Sequence, residues 1–328
     1  MRAYKILLFS AFFLLITVFF AGAVTVPAAA QANMMQFRYN AEHTGDYGPV
    51  AASNTSKGLL TWSFTTGSVM LSSPAVANSV VYVGSEDNNT YALNATTGTK
   101  LWNYTTGGGV DSSPAVVNGV VYVGSDDNNT YALNATTGTK LWSYTTGGPV
   151  QSSPAVVKGV VYVGSNDNNT YALNATTGAK LWNYTTGGHV FSSPAVVKGV
   201  VYVGSNDNNT YALNATTGAK LWSYTTQGEV TSSPAIANGV VYVGSFDGNV
   251  YALNATTGAK LWNYATGSGV FSSPSVVNGT VYVGSLDNNL YAIGNAAAAT
   301  SQGVTPGFDV VLAVVGLIIA AYVVKRAK

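Results

Sequence analysis

Side chains able to do chemistry recur in this chain at forty-residue intervals. An aspartate stands at 87, 127, 167, 207, 247 and 287, and histidine occurs twice, at His43 and His189. General acid–base or nucleophilic catalysis needs one constellation set apart from its surroundings, so a carboxylate copied into every repeat reads as a turn residue. Clusters such as Asp126-Asp127-Asn128-Asn129 lack the ligand spacing and bidentate Glu of a calcium loop and read as β-turns. His43, beside a strand-like segment, reads as a packing or capping residue. No cysteine is present, which excludes disulfides, thiolate nucleophiles, Fe–S clusters and cysteine-ligated zinc. The expectation is a protein with no catalytic residue, no metal ligand and no cofactor: not an enzyme.

Where the copies differ is more informative. Two positions flanking the residue before each SSPAV segment vary: Val69 and Leu71, Gly109 and Asp111, Pro149 and Gln151, His189 and Phe191, Glu229 and Thr231, Gly269 and Phe271. So does the position after each VYVGS: Glu86, Asp126, Asn166, Asn206, Phe246 and Leu286. Loops on a rigid scaffold are where binding residues collect. These residues form the candidate ligand-binding rim, apolar at Leu71, Phe246, Phe271 and Leu286 and polar at Asp111, Asp126, Gln151 and Asn166, suited to a surface glycan or a partner protein.

The elements that must position this rim follow from the period. Tryptophan recurs at 62, 102, 142, 182, 222 and 262 without insertion, and each unit holds four segments rich in β-branched and aromatic residues, SSPAVV, VVYVGS, NTYALN and KLWNYT or near variants. Asn118-Gly119 and Thr137-Gly138 supply turns between them. Four antiparallel strands every forty residues specify an all-β, six-bladed β-propeller. The segment 59–65 is a lone fourth strand ahead of the first blade, and the last blade ends after its third strand, so the expectation is closure by velcro pairing of 59–65 with the last blade. Alternating strand direction puts both variable loops on one face and the NATTG turns on the other.

Charged residues are 8% of the 328-residue chain and the formal net charge is +1, which excludes an electrostatic footprint for nucleic acid. Hydrophobic residues reach 47%, but between residues 33 and 305 the apolar runs are short and interrupted by Gly, Asn, Ser and Thr.

The stretch Ala92-x-Asn94-x-x-Thr97-Gly98-x-x-x-Trp102, repeated from Ala132, Ala172, Ala212 and Ala252, resembles the tryptophan-docking motif of PQQ-like β-propeller repeats. That resemblance implies that Trp62, Trp102, Trp142, Trp182, Trp222 and Trp262 dock one blade onto the next. It also sets two relatives in view. Quinoprotein dehydrogenases surround a quinone with charged and calcium-binding side chains, a constellation not visible here, and a propeller lipoprotein of bacterial barrel assembly is a scaffold. The segment Met34 to Gly45 looks like the family's lead-in, with Met34 where Trp is usual. Asn stands at the motif's third position where Asp is usual, which creates possible glycosylation acceptors at Asn94, Asn134, Asn174, Asn214 and Asn254, beside those at Asn88 and Asn103.

Residues 1–32 have the basic start, apolar run and small-residue end of a signal peptide, with cleavage before Asn33. Residues 33–58 are the lead-in, 59–294 the propeller, 295–308 a short linker with the PGF motif, and 309–328 an apolar segment with a basic tail. The last two resemble the PGF-CTERM sorting signal of archaeal surface proteins, which implies export and a membrane anchor. The expected location is the extracellular face of the cell membrane. The expected function is a non-catalytic binding or scaffold module, with a passive glycosylated coat protein as the alternative and a quinoprotein-type oxidoreductase as a more distant one.

Overall fold

The computed structural model describes residues 34–35 and 60–294. Each repeat folds as the alternation of its residues dictates. In the second unit, strands Ala115–Val117, Val120–Gly124, Asn129–Asn134 and Lys140–Thr145 lie side by side in chain order, all antiparallel. The first hairpin turns at Asn118 and Gly119, with φ of 50° and 76°, the two left-handed positions that a tight hairpin matched to strand twist requires. A register shift between Ala132 and Leu133 bends the outer strand pair.

The cores lie between blades. Trp142, Tyr122 and Ala132 of the second blade share one cluster with Val161, Val163 and Leu173 of the third. The Trp142 indole N–H donates to the Ala175 carbonyl at 2.9 Å, and the Tyr122 hydroxyl reaches the same oxygen at 3.1 Å. Gly178, at φ 72°, lies under the Trp142 ring, where a Cβ would stand 2.7 Å from it. Only glycine permits both that backbone and that contact. Nearer the axis, the Ser113 amide donates to Ser153 Oγ of the next blade at 3.0 Å, and the equivalent bond recurs from Ser73 through Ser233.

Six sheets result, so the expected six-bladed all-β propeller is observed. The backbone of Met34–Met35 adds a fifth strand to the second sheet beside Val116 and Val117, an inner position not foreseen for the lead-in. Among the described residues the expected velcro closure by 59–65 is not made: residues 60–65 belong to no strand, and the last sheet has three, Ser275–Val277, Thr280–Gly284 and Leu290–Ile293. Residues 60–65 dock instead as every fourth strand docks on the following blade. Trp62 donates to the Ala95 carbonyl at 3.0 Å, and Phe64 packs edge-on against Tyr91. Near-identical docking contacts recur at the four junctions from blade one to blade five, whereas among the described residues the faces that blades six and one would share are open. Met70 is 48% exposed where its equivalent Val150 is fully buried, and Tyr282 is 42% exposed where Tyr162 is 3%. The signal segment, the rest of the lead-in and residues 295–328 lie outside the described residues.

Candidate functional site

Both variable loops emerge on one rim, as read from the sequence. The Asp126 amide donates to the Gly109 carbonyl across them at 2.9 Å, while on the opposite rim the Ala135 amide meets the Gly119 carbonyl, joining the two uniform turns. The repeated aspartates are structural clamps. Asp127 accepts from the Gly107 amide at 2.6 Å, from the Tyr131 hydroxyl at 2.7 Å and from Asn129, tying its own loop to the strand arriving from blade one. Burial works to raise the Asp127 pKa, but these donors outweigh it and hold the carboxyl below its ordinary range. At the half-buried Asp287 the Tyr291 hydroxyl leads, and the pKa falls to about 2.

The rim residues follow one another around the arc in chain order. The Asp111 carboxyl lies beside those of Glu86 and Asp126, Gln151 is next to Asp126, and Asn166 donates to Gln151 at 3.4 Å. His189 Nδ1 bonds the Asn166 carbonyl and its ring meets Phe191 edge-on at 5.9 Å. Asn206 and Thr231 follow, with Glu229 exposed beside them. Phe246 and Phe271 then meet edge-on at 5.7 Å, and Leu286 comes next, its side chain near Gly269. The expected apolar half is therefore divided. Phe246, Phe271 and Leu286 end one side of the arc, and Leu71, exposed with Val69, ends the other, because the junction that would join them is not formed.

Sequence reasoning missed one convergence. Oxygens of Glu86, Asp111 and Asp126 lie within 4.8 Å of one another, three carboxylates from two neighbouring blades. Burial, then the hydrogen bond and charge of Glu86, then the charge of Asp126, push the Asp111 pKa up to about 7. Burial also leads the rise at Asp126, with the Gln151 hydrogen bond opposing it. Such a group can share a proton or hold a cation, where the sequence had suggested neither. Its signal was the run of acidic residues at successive rim positions, legible only once the blades are known to adjoin.

A second property of the rim is a surplus of acceptors. Asp111 Oδ1, Asp126 Oδ1, Asn166 Oδ1, Asn206 Oδ1 and Thr231 Oγ1 are each buried without a hydrogen-bond partner. Buried polar atoms in folded proteins are ordinarily paired, and five unpaired oxygens collect on this rim.

The candidate glycosylation residues divide by geometry. Asn94 accepts from the Thr96 and Thr97 amides through its oxygen, as do Asn134, Asn174, Asn214 and Asn254 in their turns. Asn103 instead spends its side-chain nitrogen, the atom a glycan would take, on Asn89, and Asn88 sits in a left-handed turn at φ 69°.

The described "Beta-alanine-activating enzyme, beta-propeller" family matches residues 39–294, and the PGF-CTERM motif matches 305–327. No curated protein matches the chain. Among solved structures, BamB from Moraxella catarrhalis superposes with a TM-score of 0.64 at 23% identity, covering 71% of this chain and 76% of BamB. The computationally designed Ika8 protein gives 0.62 at 20%, covering 68% and 70%. Quinohemoprotein alcohol dehydrogenase ADHIIG from Pseudomonas putida HK5 gives 0.68 at 20%, covering 77% of this chain and 57% of the enzyme. Identities this low speak for the fold alone.

Proposed function

Since the chain belongs to the β-propeller family described for the beta-alanine-activating enzyme and carries the PGF-CTERM motif of surface-anchored proteins, we propose that it is a non-catalytic binding module whose site is the variable rim. Its place is the cell surface. The observation that carries the reading is the set of five unpaired acceptors at Asp111, Asp126, Asn166, Asn206 and Thr231, next to the aromatic pair Phe246 and Phe271. A ligand rich in hydroxyl or amide donors and bearing an apolar face answers both halves, which describes a glycan or a protein loop. Each buried acceptor that gains a donor recovers a desolvation cost of roughly 1–3 kcal/mol, so a few such bonds suffice for useful affinity.

The test is a screen of the detergent-solubilised full chain against glycans and surface-extract proteins, with Asp126→Ala/Phe246→Ala/Phe271→Ala as control. Saturable binding lost in the triple variant supports the reading. Binding indifferent to it, or none, leaves the glycosylated coat protein as the better account.

A further inference from the structure

The described charges are sorted by rim. Every described carboxylate lies on the variable rim: Asp87 and its equivalents through Asp287, with Glu86, Asp111, Asp126 and Glu229. Every described lysine lies at the opposite rim, Lys100 and its equivalents through Lys260 at the start of each fourth strand, and Lys158 and Lys198 in turns between the first two strands. Consequently no ion pair between lysine and carboxylate forms among the described residues. A net charge of +1 conceals a strongly polarised disc.

The lysine rim also carries a regular row of apolar side chains at its edge. A leucine follows each of these first-named lysines, and Leu101, Leu141, Leu181, Leu221 and Leu261 are each about half exposed. Between blades four and five the rim opens into a cavity of about 540 Å³, lined by Val197, Val200, Leu221 and Ile236 with Lys198 at its side. Lysine beside half-exposed leucine is the composition of surfaces that rest in a lipid headgroup layer.

The chain leaves the propeller on this same rim. The last strand, Leu290–Ile293, runs from the acidic rim to the lysine rim, and Gly294 ends beside Thr280 there. Eleven residues separate Gly294 from Pro306 of the PGF motif, a reach of at most about 40 Å when extended. The anchor thus holds the lysine rim within a short tether of the membrane.

We propose that the lysine rim docks on an anionic lipid surface, so that the disc lies with its leucines and lysines against the headgroups and its acidic mouth facing away from the cell. Lysines are drawn to negative headgroups, and turning the disc over would bring its carboxylates against them instead. The orientation requires no ligand at the mouth, so its failure and that of the binding reading are separable.

The chain has no cysteine, so single labels are clean. Full-length protein carrying Thr176→Cys on the lysine rim, or Gln227→Cys on the acidic rim, is labelled with a fluorophore and reconstituted through its C-terminal segment. Vesicles are phosphatidylcholine with or without phosphatidylglycerol, and acrylamide is the aqueous quencher. With phosphatidylglycerol the label at 176 is quenched several-fold less than the label at 227. High salt removes the difference, as expected where screening shortens the reach of charge. The exposed-surface variant Lys140→Gln/Lys180→Gln/Lys220→Gln removes it too, each lost lysine weakening lipid association about fivefold. Equal quenching of the two labels on anionic vesicles overturns the proposal. So does protection at 176 that survives in pure phosphatidylcholine and in the triple variant, since the tether alone would then set the orientation. Circular dichroism of the variant shows whether the propeller is intact, and the salt series stands without it.

Discussion

The junction between blades two and three and the place where blade six would meet blade one present almost the same residues in opposite circumstances. At the first, Trp142, Tyr122, Val150 and Ser153 are buried and bonded. At the second, Met70, Ser73, Leu290 and Tyr282 face solvent. One repeat encodes half of each of two junctions and no complete core of its own. Stability should therefore behave as a sum over junctions, with blades one and six the weakest members.

The largest way to test that contrast is truncation of a docking indole. Trp142→Ala should cost about 3–5 kcal/mol in urea unfolding, while Trp62→Ala, whose ring is half-buried, should cost less than half as much. Equal costs would mean that blade one is held as firmly as blade three. Next comes the serine chain: Ser153→Ala removes the acceptor of a buried amide and should cost about 1–3 kcal/mol, whereas Ser73→Ala should stay within about 0.5 kcal/mol. A smaller effect has the opposite sign. Thr90, Thr130, Thr170 and Thr210 are fully buried with unpaired hydroxyls, and blade five carries Val250 at the same position. Thr130→Val should stabilise the protein by about 1 kcal/mol, read as a raised melting temperature.

Titration separates carboxylates that serve a junction from those at the mouth, even where they are neighbours in the chain. Asp127 has a depressed folded pKa, so its contribution is present above the unfolded value and is lost as pH falls through the folded one. Asp111 has a raised pKa of about 7, so the folded state holds its proton longer than the unfolded chain does, and stability declines as pH rises from about 4 to about 7. Asp111→Asn should raise the melting temperature at pH 8 and leave it nearly unchanged at pH 4, while Asp127→Asn should lower it at pH 8. Matching responses from the two variants would sink the distinction.

Much of this was legible in the sequence, and for a definite reason. The tryptophan spacing, the Asn-Gly turns and the clamp aspartates act through neighbours at fixed offsets of one repeat, so counting residues finds them. Ring closure depends on the angle at each junction, which is set by side-chain packing such as Trp142 over Gly178 and has no counterpart in the period. The carboxylate convergence of Glu86, Asp111 and Asp126 was hidden likewise: all three were on the candidate rim, but their meeting requires knowing how far one blade leans on the next. The expected pairing of Leu71 with Phe271 and Leu286 into one apolar half rested on closure and parted with it.

The docking of each indole over the next blade's glycine carries an evolutionary consequence. Every contact at a junction comes from residues that nearly all copies possess, so a gene that gains or loses one forty-codon unit by unequal recombination builds a protein whose remaining junctions are already correct. What such an event alters is the order of side chains around the mouth. Deleting the unit that holds Asp111 and Asp126 would set Glu86 beside Gln151 and dissolve the acidic cluster in one step, without disturbing a single docking tryptophan elsewhere. A change in copy number thus alters the mouth at several positions at once, where a point substitution alters one.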